Sequence, residues 1–124
     1  METRVLLSIK PEYVNKIFLE EKLYEYRRLI FKNKVETVVI YATSPIKKIV
    51  GEFKVVEILH ETPEKIWEIT KDKSGIEKEK FFKYFNNLEK GYAIKMKEIK
   101  KYKDPLELIE FNIKVAPQSF IYLK

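Results

Sequence analysis

The residues that constrain this chain most are Thr37-Val-Val-Ile-Tyr-Ala42. They are β-branched or apolar almost throughout, with none of the polar-apolar alternation of a strand that has one wet face. Such a strand must be covered on both sides, so the rest of the chain has to supply the cover. It ends at Thr43-Ser-Pro45, a turn sequence.

The flanking segments fit that demand. Val5 to Lys10 is a short apolar run stopped by Pro11, and reads as a buried strand. Pro11 suits a first helical turn. Tyr13, Val14, Ile17 and Phe18 then recur at helical spacing, predicting a helix from about Pro11 to Glu21. Leu23 to Ile30 reads as a strand, and Phe31 to Lys34 as a turn. Lys47 to His60 is a long strand with apolar residues on both faces and Gly51 as a bulge or bend. Thr62-Pro63 opens a helix with Ile66, Trp67 and Ile69 as its buried side. Ser74-Gly-Ile-Glu77 matches a capping box for a second helix that carries Phe81, Phe82, Tyr84 and Phe85 and ends at Asn86-Asn87. In the strand Gly91 to Lys100, Tyr92, Ile94 and Met96 point one way and Ala93, Lys95 and Lys97 the other. Lys101 to Pro105 reads as a turn, Leu106-Glu-Leu as a short strand, and Phe120 to Leu123 as the last strand. The expectation is an α+β domain, mostly β, of five or six strands, with a helix after the first strand and a helical pair before the last ones. A chain of 124 residues is long enough for one domain, spanning 1–124.

Composition narrows the chemistry. There is no cysteine and a single histidine, His60, so no zinc site is expected. Neither a glycine-rich phosphate loop nor a GxGxxG turn is present, and no cofactor is expected. Met1-Glu-Thr-Arg-Val-Leu-Leu is too short and too charged for a signal peptide, and no apolar run approaches ~20 residues, so the expected setting is the cytoplasm, away from any membrane. The net charge is +6, concentrated before residue 50 and in the strand around Lys95 and Lys97. Nucleic acid is the obvious polyanion for such a surface.

One stretch, Lys22-Leu-Tyr-Glu-Tyr-Arg-Arg28, carries the trio Lys22, Glu25 and Arg27, two cations and a carboxylate, with Arg28 on the opposite face. Glu25 and Arg27 are two apart and share a strand face, with Lys22 at the strand's start. The trio suits gripping a polar, anionic ligand, and equally suits a surface ion-pair cluster. Ser8 and Lys10 fall where a strand hands over to a helix N-terminus, a place that favours anions. Ser44 sits on a loop leaving the central strand. The residues left for catalysis are Lys22 and Glu25 as metal-free acid and base, with Ser44 or Tyr41 assisting. The same side chains could hold a phosphate or a base edge without any reaction.

Taken together, Leu7-Ser-Ile-Lys-Pro11, Lys22-x-x-Glu25-x-Arg27, Val39-Ile-Tyr-Ala-Thr-Ser-Pro45, Gly51-Glu-Phe, Gly91-Tyr-Ala-Ile and Pro117-Gln-Ser-Phe resemble the ASCH domain of the PUA-like superfamily, in the right order over nearly the whole chain. The likeness is to the small archaeal type labelled a predicted transcriptional regulator. It implies a PUA-like β-barrel whose helices close a cleft that binds RNA or nucleotides. Some relatives are enzymes, among them an amidohydrolase acting on acylated cytidine and a ribonuclease. The amidohydrolase element places a threonine nucleophile where this chain has Glu25, which cannot serve as that hydroxyl; Glu77 or Glu79 could supply a carboxylate.

Two functions are therefore expected in competition. The first is binding of RNA or a nucleotide, with DNA as a further possibility, by Ser8, Lys10, Lys22, Glu25, Arg27, Tyr41, Ser44, Lys47, Lys95 and Lys97, with Lys48 as a further phosphate contact and Tyr24, Tyr26 or Tyr41 stacking on a base. The second is metal-free hydrolysis of a modified nucleoside or RNA by Lys22, Glu25 and Ser44. The oligomeric state is not legible in the sequence.

Overall fold

The structure, a computed structural model, describes residues 3–123. Met1 and Glu2 of the opening stretch lie outside the described residues, as does Lys124. Six strands form one curled sheet in the order β2-β5-β4-β3-β1-β6. They are β1 (Arg4–Ile9), β2 (Tyr24–Arg27), β3 (Thr37–Ala42), β4 (Lys48–Glu61), β5 (Gly91–Leu106) and β6 (Phe120–Leu123). Among the described residues the one parallel pairing is β1 with β3, with Leu6 opposite Val39 and Ser8 opposite Tyr41. Helix α1 (Pro11–Phe18) follows β1, and α2 (Pro63–Thr70) and α3 (Lys78–Tyr84) stand between β4 and β5. This is the α+β, mostly β arrangement expected from the sequence. Among the described residues no helix is long and apolar enough to cross a membrane.

All six residues of β3 are buried, as their composition requires. Val38, Ile40 and Ala42 pack with Val5, Leu7, Ile9 and Phe53 beneath Val14 and Ile17 of α1. On the other face Val39 and Tyr41 join Leu6 and Ile49, covered by Leu106, Leu108, Phe111 and Ile113 from the C-terminal part of the chain. A third cluster lies between the sheet and the helical pair, where Tyr26 and Ala93 meet Ile66, Phe81 and Phe85. Tyr26 and Phe81 meet edge to face with ring centroids 4.8 Å apart.

Gly51 is the expected irregularity. Ile40 pairs with Gly51 but Tyr41 pairs with Ile49, so β4 carries one extra residue. A Cβ on Gly51 would collide with the Lys100 carbonyl and the Phe18 ring, so the bend needs a residue without a side chain. The predicted cap of α2 is also present: Thr62 Oγ1 accepts from the Lys65 backbone N–H at 3.2 Å.

Several expectations are corrected. Helix α1 stops at Phe18, and β2 is limited to four residues. Ile69 is 49% exposed, and the buried positions of α2 beside Ile66 are Pro63 and Thr70. Lys101 to Pro105 does not turn the chain; β5 runs on to Leu106. Its register skips from Lys101 opposite Gly51 to Leu106 opposite Ile49, so Pro105 falls in the irregular stretch where a missing N–H costs least. Ser74 does not cap α3. Its Oγ bonds the Ile76 backbone, and Glu77 takes the cap position without a side-chain bond.

Candidate functional site

The backbone of Lys22, just before β2, forms an isolated antiparallel bridge with Ser74, in the loop between the two inserted helices. Its side chain follows the same path. The Nζ donates to the Ser74 carbonyl at 2.8 Å and lies 4.5 Å from the centre of the Tyr26 ring and 5.3 Å from that of Tyr13. Gly75, at φ 64°, lies against the lysine stem, where a Cβ would collide with it. Lys22 is 2% exposed, an unusual place for an ammonium group. Burial draws its pKa down from 10.5 to about 8, with the Glu25 charge acting in the opposite sense and Lys16 and Arg27 adding to the depression.

Glu25 and Arg27 share a face of β2, as their spacing predicted. Arg27 Nε donates to Glu25 Oε2 at 3.0 Å, and Nη2 lies 2.8 Å from the same oxygen. Arg27 then reaches further. Nη2 donates to the Ser8 carbonyl of β1 at 2.7 Å, and Nη1 to Ser119 Oγ at 3.4 Å. Strand β2 is one end of the sheet, while β1 and β6 are at the other. The guanidinium therefore fastens the two ends of the curled sheet by side-chain bonds, where no backbone ladder joins them.

A hollow of about 390 Å³ opens at this seam. Buried Lys22 and Glu25, with Arg27, form its floor; Tyr13, Tyr26, Tyr84, Ile9 and Ile76 form its walls; exposed Lys10, Lys80 and Lys83 stand around its mouth. Burial, with the carboxylates Glu12, Glu25 and Glu77, pushes the Tyr13 hydroxyl's pKa up, so it stays a neutral donor and acceptor.

Of the residues selected from the sequence, Ser8, Lys10, Lys22, Glu25, Tyr26 and Arg27 come together here, Tyr26 with its face under the Lys22 ammonium. The others do not. Tyr41 is buried in the cluster with Leu6 and Ile49, on the sheet face away from α1, and its ring cannot stack on a ligand in the hollow. Ser44 and Lys47 are exposed on the turn between β3 and β4, outside the lining. Lys95 is half-buried on β5 opposite Tyr24, and Lys97 is exposed opposite Lys54; neither lines the hollow. Glu77 and Glu79 are exposed and outside it as well. The sequence reading did not select Tyr13, Ile76, Lys80, Lys83 or Tyr84. Lys80 and Lys83 had a usable signal, because residues three apart share a helix face.

The sequence profile of the family described as "Domain of unknown function (DUF365)" matches residues 3–121. The chain belongs to the DUF365 family. The ASCH protein of Zymomonas mobilis superposes on this DUF365 chain with a TM-score of 0.89 at 23% identity, covering 98% of this chain and 87% of that one. Two single-residue mutants of the same protein give TM-scores of 0.89 and 0.87 at 22% and 21% identity, covering 98% of this chain and 90% and 88% of theirs. At such identities the likeness is one of fold, so the ASCH-type architecture implied by the sequence motifs is the one observed. Two proteins of Ureaplasma parvum serovar 3 are also similar in sequence. One is ATP synthase subunit alpha, 31% identical over 121 residues, which are 97% of this chain and 15% of that protein. The other is large ribosomal subunit protein uL22, 33% identical over 122 residues, 97% of this chain and 39% of that protein. The DUF365 chain thus spans less than half of each of these curated relatives.

Proposed function

We propose that this DUF365 domain binds RNA or a nucleotide in the hollow at the sheet seam. The observation that carries the reading is the vertical order of charge: a buried ammonium and carboxylate at the floor, aromatic and aliphatic walls, and three exposed lysines at the mouth. Concave sites of about 300–1,000 Å³ with a few convergent polar groups are the usual form of a small-ligand site. Aromatic walls under a cationic rim are what an unpaired nucleotide needs. DNA shares the phosphate chemistry and is the alternative polymer.

The test is fluorescence anisotropy with a mixed-sequence single-stranded RNA across a salt series. Each phosphate contact contributes about −0.7 to the slope of log K against log salt for single strands. Replacing Lys10, Lys80 and Lys83 with alanine together should flatten that slope by about 2. Salt-independent binding, or a triple variant with the parent's slope, refutes the reading.

One observation favours catalysis as a second reading. With its pKa near 8, Lys22 is close to the range a general base needs at neutral pH. Metal-free hydrolysis of a modified nucleoside or RNA would then use Lys22 and Glu25, without Ser44, which is not part of the hollow's lining. Turnover of nucleoside amides in EDTA, abolished in Lys22→Ala, is the supporting result; a blank screen is the contrary one.

A further inference from the structure

A ligand with a phosphate at one end and a base at the other can enter the hollow in two ways, and the floor discriminates between them. A phosphate seat needs several uncommitted N–H donors aimed at one point. Arg27 has few left, because it already serves Glu25, the Ser8 carbonyl and Ser119. Lys22 holds the Ser74 carbonyl and faces two rings. Between them stands Glu25, 6% exposed and part of the lining. Both Arg27 contacts fall on its Oε2, and among the described residues no donor is in place for Oε1. The oxygen left to the hollow is thus an anionic acceptor, which repels a phosphate and seeks an N–H.

We propose that the hollow takes one unpaired base edge-on, with a base N–H on Glu25 Oε1 and a base carbonyl or ring nitrogen on Lys22 Nζ, leaving the phosphates to Lys10, Lys80 and Lys83 at the mouth. This deepens the nucleic-acid reading above and rests on it. The Watson–Crick edge of every natural base sets an N–H donor beside an acceptor, so the floor pair matches the class, and a base that enters must first leave its stack. Half-buried Tyr13 and the edge of buried Tyr26 line the space beside the floor, so the base is held between an aromatic wall and the polar pair. Glu25 is then the residue that selects a base and excludes a phosphate.

The experiment uses the full chain, isotope-labelled and followed by NMR, titrated with adenosine, guanosine, cytidine and uridine and, separately, with ribose 5-phosphate and inorganic phosphate. At least one ribonucleoside should shift the Glu25 side-chain carboxylate carbon saturably, and the two phosphates should not. Glu25→Gln should weaken that nucleoside at least tenfold and leave ribose 5-phosphate unchanged or tighter. The titrations of the unaltered chain stand on their own if that variant does not fold. A phosphate that shifts the Glu25 carboxylate, or a nucleoside bound equally well by Glu25→Gln, overturns the proposal. RNA binding that depends on the mouth lysines but shows no nucleoside site overturns this proposal alone. Absence of both RNA and nucleoside binding overturns it together with the reading on which it rests.

Discussion

Replacing Lys22 with methionine keeps the stem under Gly75 and removes the charge, and the structure gives the pH signature of that change. A lysine whose folded pKa is lowered is protonated in both states below about pH 8, and there contributes no slope to stability. Between about 8 and its ordinary 10.5, the unfolded chain holds a proton that the folded chain has released, so the folded state gains stability as pH rises. Because the folded lysine is half deprotonated at pH 8, the proton difference rises from about a half to nearly one across pH 8 to 9.5 and is worth ~1.5 kcal/mol, at ~1.4 kcal/mol per proton and pH unit. In either protein alone the tyrosines raised by burial, Tyr13, Tyr26, Tyr84 and Tyr102, act in the opposite sense once the unfolded chain ionises near pH 10.0, so the lysine's contribution is read as a difference between the two proteins. At pH 7 the variant escapes the cost of burying an ammonium but leaves the Ser74 carbonyl without its donor, so its stability should fall within ~2 kcal/mol of the parent. Urea unfolding of both proteins, followed by Trp67 fluorescence at closely spaced pH values, reads the difference directly, and other titrating groups cancel. A parent-minus-variant difference that stays flat from pH 8 to 9.5 would refute the buried-ammonium argument.

Three further outcomes are expected. Arg27→Ala leaves Glu25 buried without its cation and unfastens Ser8 from β2; urea unfolding should show a loss of ~3–5 kcal/mol. Gly75→Ala, at φ 64° and against the Lys22 stem, should cost at least ~1–2 kcal/mol by the same measurement and move the NMR signals of Lys22. Tyr26→Phe removes the 2.7 Å hydroxyl contact with Thr70 Oγ1 and keeps the ring packing, so the midpoint should fall by only ~1 kcal/mol in stability terms.

Elements whose signal is local were legible in the sequence. The buried β3, the Pro11 helix start, the Thr62-Pro63 cap and the Gly51 bulge each follow from a few adjacent residues. What escaped depends on distant partners. Ser74 looked like a cap because its spacing to Glu77 is right, but its Oγ bonds the Ile76 backbone and its backbone bridges to Lys22, 52 residues away, a pairing with no local trace. Lys101 to Pro105 carries turn residues, yet β4 alongside holds it extended. Half of the hollow's lining was found because Lys22, Glu25, Tyr26 and Arg27 are neighbours in sequence and Ser8 and Lys10 mark a strand-to-helix junction. Lys80 and Lys83 were missed because only the fold brings α3 to that junction. Tyr41, Ser44, Lys47, Lys95 and Lys97 were selected for their chemistry and then separated by the sheet's curvature and layering.

The link between Arg27 and Ser8 also sets a dimension. Where a fully laddered barrel fixes the spacing of its strands by backbone bonds of constant length, here β2 is held to β1 across the seam through the reach of one side chain. A shorter residue at that position would narrow or unlatch the chamber while the remaining ladders stay intact. The chamber's calibre and the domain's stability therefore hang on the same guanidinium, so the first cannot be altered there without drawing on the second.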